Sequence, residues 1–167
     1  VVSSVKEETT DNTQNAITVS TSGIVDLIAP SPDTNAMIIA GSGTDSLFMT
    51  GDQLQVSADC QEAGCTGALT LTLGANAPAG TAPACTTSAD VVTCTYTVDA
   101  GDTEGTVTYS LVLSDAVGNA ATALTQATGT VGGAAYDSGC DTTAQTAGQM
   151  CFDKTAPSPD TNAMIIA

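Results

Sequence analysis

From residue 51 onward, apolar and polar residues alternate in short runs bounded by Gly, Asp, Asn and Pro, the pattern of half-buried strands joined by tight turns. Helical periodicity is hard to find. The alternation predicts strands near residues 36–40, 47–50, 53–58, 68–73, 91–98, 106–114 and 120–130. The clearest is VTYSLVLS, residues 107–114. There Val107, Tyr109, Leu111 and Leu113 share one face and Thr108, Ser110 and Val112 the other, so the first face belongs to the core. The residues that follow, Asp115 to Asn119, include Gly118 and Asn119, which suit the positive φ of a strand reversal into the next segment. Upstream, residues 93–98 reach the same strand through an acidic, Gly-punctuated turn at 99–105. The pattern predicts an all-β fold, a sandwich of about seven strands.

Residues 1–23 are polar and rich in Thr and Ser, with one alternating patch at 16–19 carrying Ile17 and Val19 that would form a strand if given a partner edge. Residues 131–149 are rich in Gly and Ala and read as an extended excursion. One segment occurs twice: residues 29–40 and 156–167 both read APSPDTNAMIIA. Just upstream, VDLIAP at 25–30 aligns with FDKTAP at 152–157 and sets Asp26 opposite Asp153. Beyond these the flanks barely agree, so what repeats is a linker plus a first strand. The expected organisation is a tail over residues 1–28 that could donate a strand, a domain over 29–155, and a second linker and strand over 156–167 that pairs with a neighbouring unit or opens a next module. The apolar run Met164, Ile165, Ile166, like Met37, Ile38, Ile39 in the first copy, would be costly to leave in water and is expected to be covered by something beyond its own domain.

The 167 residues have room for one ordinary domain plus tails, and 42% hydrophobic residues suffice for a core. That core must be light: there is no Trp, and the two Phe are Phe48 and Phe152. A net charge of −16, with Lys6 and Lys154 the sole cations, gives no footing for nucleic acid or an anionic membrane, and no apolar run approaches a membrane span. Such a surface attracts cations instead. Asp99, Asp102 and Glu104 lie on one turn, Asp115 and Asn119 flank another, and Asp26, Asp33, Asp153 and Asp160 surround the two repeat junctions; hard oxygen ligands on loops are what calcium requires. The competing reading is that these are turn residues, chosen because Asp and Asn bond their own backbone. No cluster matches an EF-hand or a nonapeptide calcium repeat.

Cys60, Cys65, Cys85, Cys94, Cys140 and Cys151 fall into three sequence-local pairs. Without His or a C-x-x-C knuckle, disulfides are favoured over zinc, although spacing alone leaves the connectivity open. Disulfides imply an extracellular or cell-surface protein, exported with its leader removed. Nothing points to catalysis: there is no His, and no Ser or Thr has a base at a meaningful spacing. Lys154 reads as a solvated linker residue. Thr9, Thr10, Thr86, Thr87, Ser88, Thr142 and Thr143 offer sites for O-linked glycan decoration or are simply good solvated strand residues, and no N-x-S/T sequon occurs.

The segments GDQLQVSAD (51–59), TYTVDAGDTEGTVTYSLVLSDAVGNAAT (95–122) and FDKTAP (152–157) together resemble the immunoglobulin-like domains of bacterial and archaeal surface proteins. The resemblance spans about residues 30–157, and its most specific part is the SDAVGNAA turn combined with a D-x-T-A-P link. It implies an immunoglobulin-like sandwich used as a module in long adhesins or filaments, and no reaction. The three local cysteine pairs and the Gly/Ala-rich excursion after Thr130 are unusual for that family, and no single cysteine pair is set to cross the sandwich as in antibody domains. The expectation is a non-enzymatic subunit of an extracellular filament whose partners are copies of itself, joined head to tail by β-strand complementation from the 16–19 patch or the C-terminal MIIA segment. The alternatives are one module of a covalent tandem adhesin, or an adhesin domain that binds cell-surface ligands.

Overall fold

A computed structural model describes residues 26–41, 47–126, 130–131, 134–135 and 150–155. The expected donor patch with Ile17 and Val19, Cys140, Asp160, and the second dodecamer with Met164, Ile165 and Ile166 lie outside the described residues. Within them the chain is all β, with no helix.

The strands in chain order are β1 (Asp33–Gly41), β2 (Leu47–Phe48), β3 (Gln53–Asp59), β4 (Thr66–Leu73), β5 (Ala84–Ser88), β6 (Val91–Thr97), β7 (Gly105–Ser114), β8 (Leu124–Thr125), β9 (Thr130–Val131), β10 (Ala134–Ala135) and β11 (Cys151–Phe152). One sheet has the order β1-β3-β6-β5, antiparallel throughout. The other has the order β2-β11-β7-β4, with β8 on the same edge of β7 as β11. It is antiparallel except where β2 and β11 run parallel. β9 and β10 pair with each other.

Both sheets feed one core because their alternation is strict. Leu54, Val56 and Ala58 of β3 and Val92, Cys94 and Tyr96 of β6 meet Leu71 and Leu73 of β4 and Val107, Tyr109, Leu111 and Leu113 of β7. The predicted core face of 107–114 is thus the observed one. Phe48 and Phe152, register partners in the parallel pair, are both buried, so the two Phe of this light core pack at the same end. The sheets come close together at Gly67, where an added Cβ would fall 2.5 Å from Val92 Cγ1.

Several strands differ from the prediction. β5 is an exposed edge strand of sequence ACTTS, too polar to show apolar alternation. The strand expected at 47–50 stops at Phe48 because a turn follows, with the Asp52 carboxylate accepting the Met49 amide at 2.8 Å. Within 120–126, Ala120 makes a single bridge to Ser114 before β8 takes up its place on β7. Phe152, read as the start of the junction, instead forms a short strand with Cys151. Gly118 has a positive φ of 99°, whereas Asn119 does not and contributes through its side chain.

Cys60–Cys65 closes the corner where the chain passes from β3 in one sheet to β4 in the other. Cys85–Cys94 joins residues that face each other in the β5–β6 register and so pins that edge strand. Cys151 is disulfide-bonded as well, and its expected partner Cys140 lies outside the described residues. Two local disulfides, and no described helix long and apolar enough to cross a membrane, are compatible with a secreted or extracellular protein.

Candidate functional site

β7, at 10 residues, is the longest of the described strands. Its first residue follows the acidic turn 99–104 and its last precedes the turn 115–119, which puts the two turns roughly 30 Å apart at about 3.4 Å per residue. Each turn holds one of the two segments that lead into a copy of the repeat.

At the entrance pole, Asp115 is almost fully buried and its Oδ1 accepts the amides of Val117, Gly118 and Asn119 at 2.9, 2.6 and 2.8 Å. Its Oδ2 accepts Asn119 Nδ2 at 2.6 Å. The same Nδ2 donates to the carbonyls of Asp26 at 3.1 Å and Ile28 at 3.4 Å, fastening the incoming chain to the turn. Burial would raise the Asp115 pKa, but the Asn119 side chain and the three amides outweigh it and hold the carboxyl below its usual range. Glu62 stands beside this turn, and its pKa is raised by burial and by the charges of Asp115 and Asp26.

At the exit pole, Asp102 is buried and plays a similar part. Its Oδ2 accepts the Tyr96 hydroxyl at 2.7 Å and the Asp99 amide at 2.8 Å, and its Oδ1 accepts the Ala79 amide at 2.7 Å. Burial, and then the bond to Asp102, push the Tyr96 pKa up to about 12. The outgoing chain is clasped by this turn. Glu104 Oε1 accepts the Lys154 amide at 2.8 Å and the Thr155 hydroxyl at 2.6 Å, and these two bonds hold the Glu104 pKa below its usual value. Lys154 Nζ donates to the carbonyls of Asp102 at 2.8 Å and Ala100 at 3.2 Å, and it lies 5.9 Å from the Phe152 ring centroid. Lys154 is exposed, as expected of a linker residue, and its ammonium is tied to the turn as well.

The two leading segments share one local hydrogen bond. Asp26 Oδ1 accepts the Ile28 amide at 3.0 Å, and Asp153 Oδ1 accepts the Thr155 amide at 2.8 Å, the same bond at aligned positions. Past the first of them the chain becomes β1, in which Ile38 and Ile39 pair with Ser57 and Val56 along the edge of β3. The first dodecamer thus supplies an edge strand of its own domain, with Met37, Ile38 and Ile39 within it.

Of the six residues read as calcium ligands, Asp99, Asp102, Glu104 and Asp153 gather at the exit pole, while Asp115 and Asn119 sit at the entrance pole. The carboxylates of Asp102 and Asp115 are already occupied by amides and hydroxyls. Among the described residues no group of three or more acidic, Cys or His side chains converges as a metal site. The clasp of Glu104 with Lys154 and Thr155, the Tyr96–Asp102 pair and Glu62 went unnoticed in the sequence. The alignment of Asp26 with Asp153 was the one signal that pointed toward the clasp.

No family model matches the chain, and no curated protein or solved structure matches it either.

Proposed function

We propose that the chain is a non-enzymatic structural unit of an extracellular fibre, an immunoglobulin-like module repeated head to tail. The observation that carries this reading is the paired Asp26 and Asp153 geometry at opposite ends of β7. The chain is fastened at one pole, crosses the domain, and is fastened at the other with the same local hydrogen bond it had on arrival, ready to start the same strand again. A unit with equivalent ends on one axis makes a heterologous, open-ended contact, which grows into a line. The buried carboxylates of Asp102 and Asp115 are spent on organising the two turns that hold the chain at its poles.

In the favoured route, the second dodecamer takes the β1 place on the β3 edge of a neighbouring chain, giving backbone hydrogen bonds along the strand and a cover for Met164, Ile165 and Ile166. A second reading is favoured by β1 itself: because the first copy already occupies the β3 edge of its own domain, the second copy is the first strand of a further covalent module. Calcium bridging between acidic units accompanies either route as a proposal attached to Asp99, Glu104 and Asp153.

An antiserum raised against this chain, applied to boiled surface material with and without reductant, tests both routes. A species near 16.4 kDa means strand exchange between separate chains. A far larger species that survives reduction means covalent tandem modules. A species of 16.4 kDa that is monomeric before boiling, at all concentrations, overturns the fibre reading.

A further inference from the structure

We infer that residues 153–155 form a two-sided rigid joint: they are clasped by Glu104 of their own module and receive, on the carbonyls of Asp153 and Thr155, the side-chain amide of Asn119 from a second copy. The inference rests on the head-to-tail reading and goes further by naming the contact between successive copies. At the entrance pole, Asn119 Nδ2 bonds the carbonyls of Asp26 and Ile28, held in place by the Asp26 side chain. The aligned residues Asp153 and Thr155 carry the equivalent bond between side chain and amide, and on that shared bond rests the inference that their carbonyls suit an Asn119 as those of Asp26 and Ile28 do. Their own Asn119 cannot reach them, because it lies at the far end of β7. A second copy supplies the only Asn119 that can.

The residue between the two carbonyls differs in a way that fits a joint. In the exit segment it is Lys154, whose ammonium is spent on the carbonyls of the preceding turn. In the entrance segment it is Leu27, 69% exposed, close to the turn that carries Val117, 62% exposed. At the exit pole Met49 is 60% exposed, beside buried Phe48. Leu27, Val117 and Met49 are the most exposed large apolar side chains among the described residues, and they lie at the poles, where end-to-end docking would bury them. The joint would then be polar at its centre and apolar around it, short enough to fix the angle between modules.

The test extends the full chain by a second copy of residues 41–167, which completes the unit that the second dodecamer opens. Spin labels on non-canonical residues at the exposed Thr70 of each unit report the distance between them. A folded, protease-resistant second unit with one narrow distance distribution is expected. Asn119→Ala in the second unit should at least double its width, and the same change in the first unit, which costs the same internal bond to Asp115, should leave the width alone. Asp153→Ala should broaden it as well. A folded pair with a broad distribution, or a narrow one indifferent to the second Asn119, overturns the joint and leaves the fibre reading standing. A second unit that does not fold overturns the joint together with the covalent tandem route, and leaves strand exchange between separate chains standing.

Discussion

Asp26 and Asp153, 127 positions apart, do the same work: each accepts the amide of the residue two further on, Ile28 at 3.0 Å and Thr155 at 2.8 Å. What each segment is fastened to differs. The first is held by Asn119 and the second by Glu104, so one local hydrogen bond recurs beside two turns at opposite ends of β7.

Asp115 anchors the entrance turn. Asp115→Ala removes the acceptor of three amides and of Asn119 Nδ2, at an expected cost of about 2–4 kcal/mol in urea unfolding at neutral pH. The folded pKa of Asp115 is depressed, so its contribution is complete above the unfolded carboxyl pKa of about 3.9 and is lost as pH falls through the folded value. The gap between wild type and variant should close in strong acid.

Glu62 works in the opposite sense. Its folded pKa is raised, so the stability linked to its protonation is complete below the unfolded pKa of about 4.3 and is lost as pH rises through the folded value. Glu62→Gln should therefore stabilise the protein at pH 7, by only about 0.3–0.5 kcal/mol after solvent screening. Chemical unfolding of both proteins across pH 3–8 should find the gain vanishing at the acid end.

Two tight turns carry an alanine where glycine fits better. Ala75 and Ala89 are exposed and have φ of 66° and 54°. A left-handed residue with a Cβ costs roughly 1–2 kcal/mol, and the extra freedom that glycine gives the unfolded chain recovers about half of that. Ala75→Gly and Ala89→Gly should each raise the midpoint of thermal unfolding, and an unchanged or lower midpoint would remove the turn argument.

Tyr96 and Tyr109 are both pushed up to about 12, Tyr96 by burial and Asp102, Tyr109 by burial. The linked stability is complete below the ordinary tyrosine pKa of about 10 and is lost as pH rises through the folded values. Absorbance at the tyrosinate band should leave both unionised until the fold opens, and Tyr96→Phe, which orphans one bond to Asp102, should lower neutral stability by about 1–2 kcal/mol.

Legibility followed the kind of interaction. The strands β3, β6 and β7 could be read because each has one buried face, and burial imposes an alternation that composition cannot hide. The local cysteine pairs 60–65 and 85–94 were legible because short loops keep partners close. β5 was not, since an edge strand fixed by a disulfide needs no apolar face. Acidic loops looked alike in sequence; only their geometry separates Asp102 and Asp115, buried and saturated by amides, from the exposed Asp99.

By itself, the sequence determined an all-β chain with a light core, a strongly acidic surface and one linker and strand written twice, because periodicity, charge and identity are properties of order along the chain. Tertiary structure decided which turn grips each copy of the linker. Asn119 meets Asp26 across 93 positions and Glu104 meets Lys154 across 50, and such contacts exist only once the sheets have stacked and β7 has set the two turns at its ends.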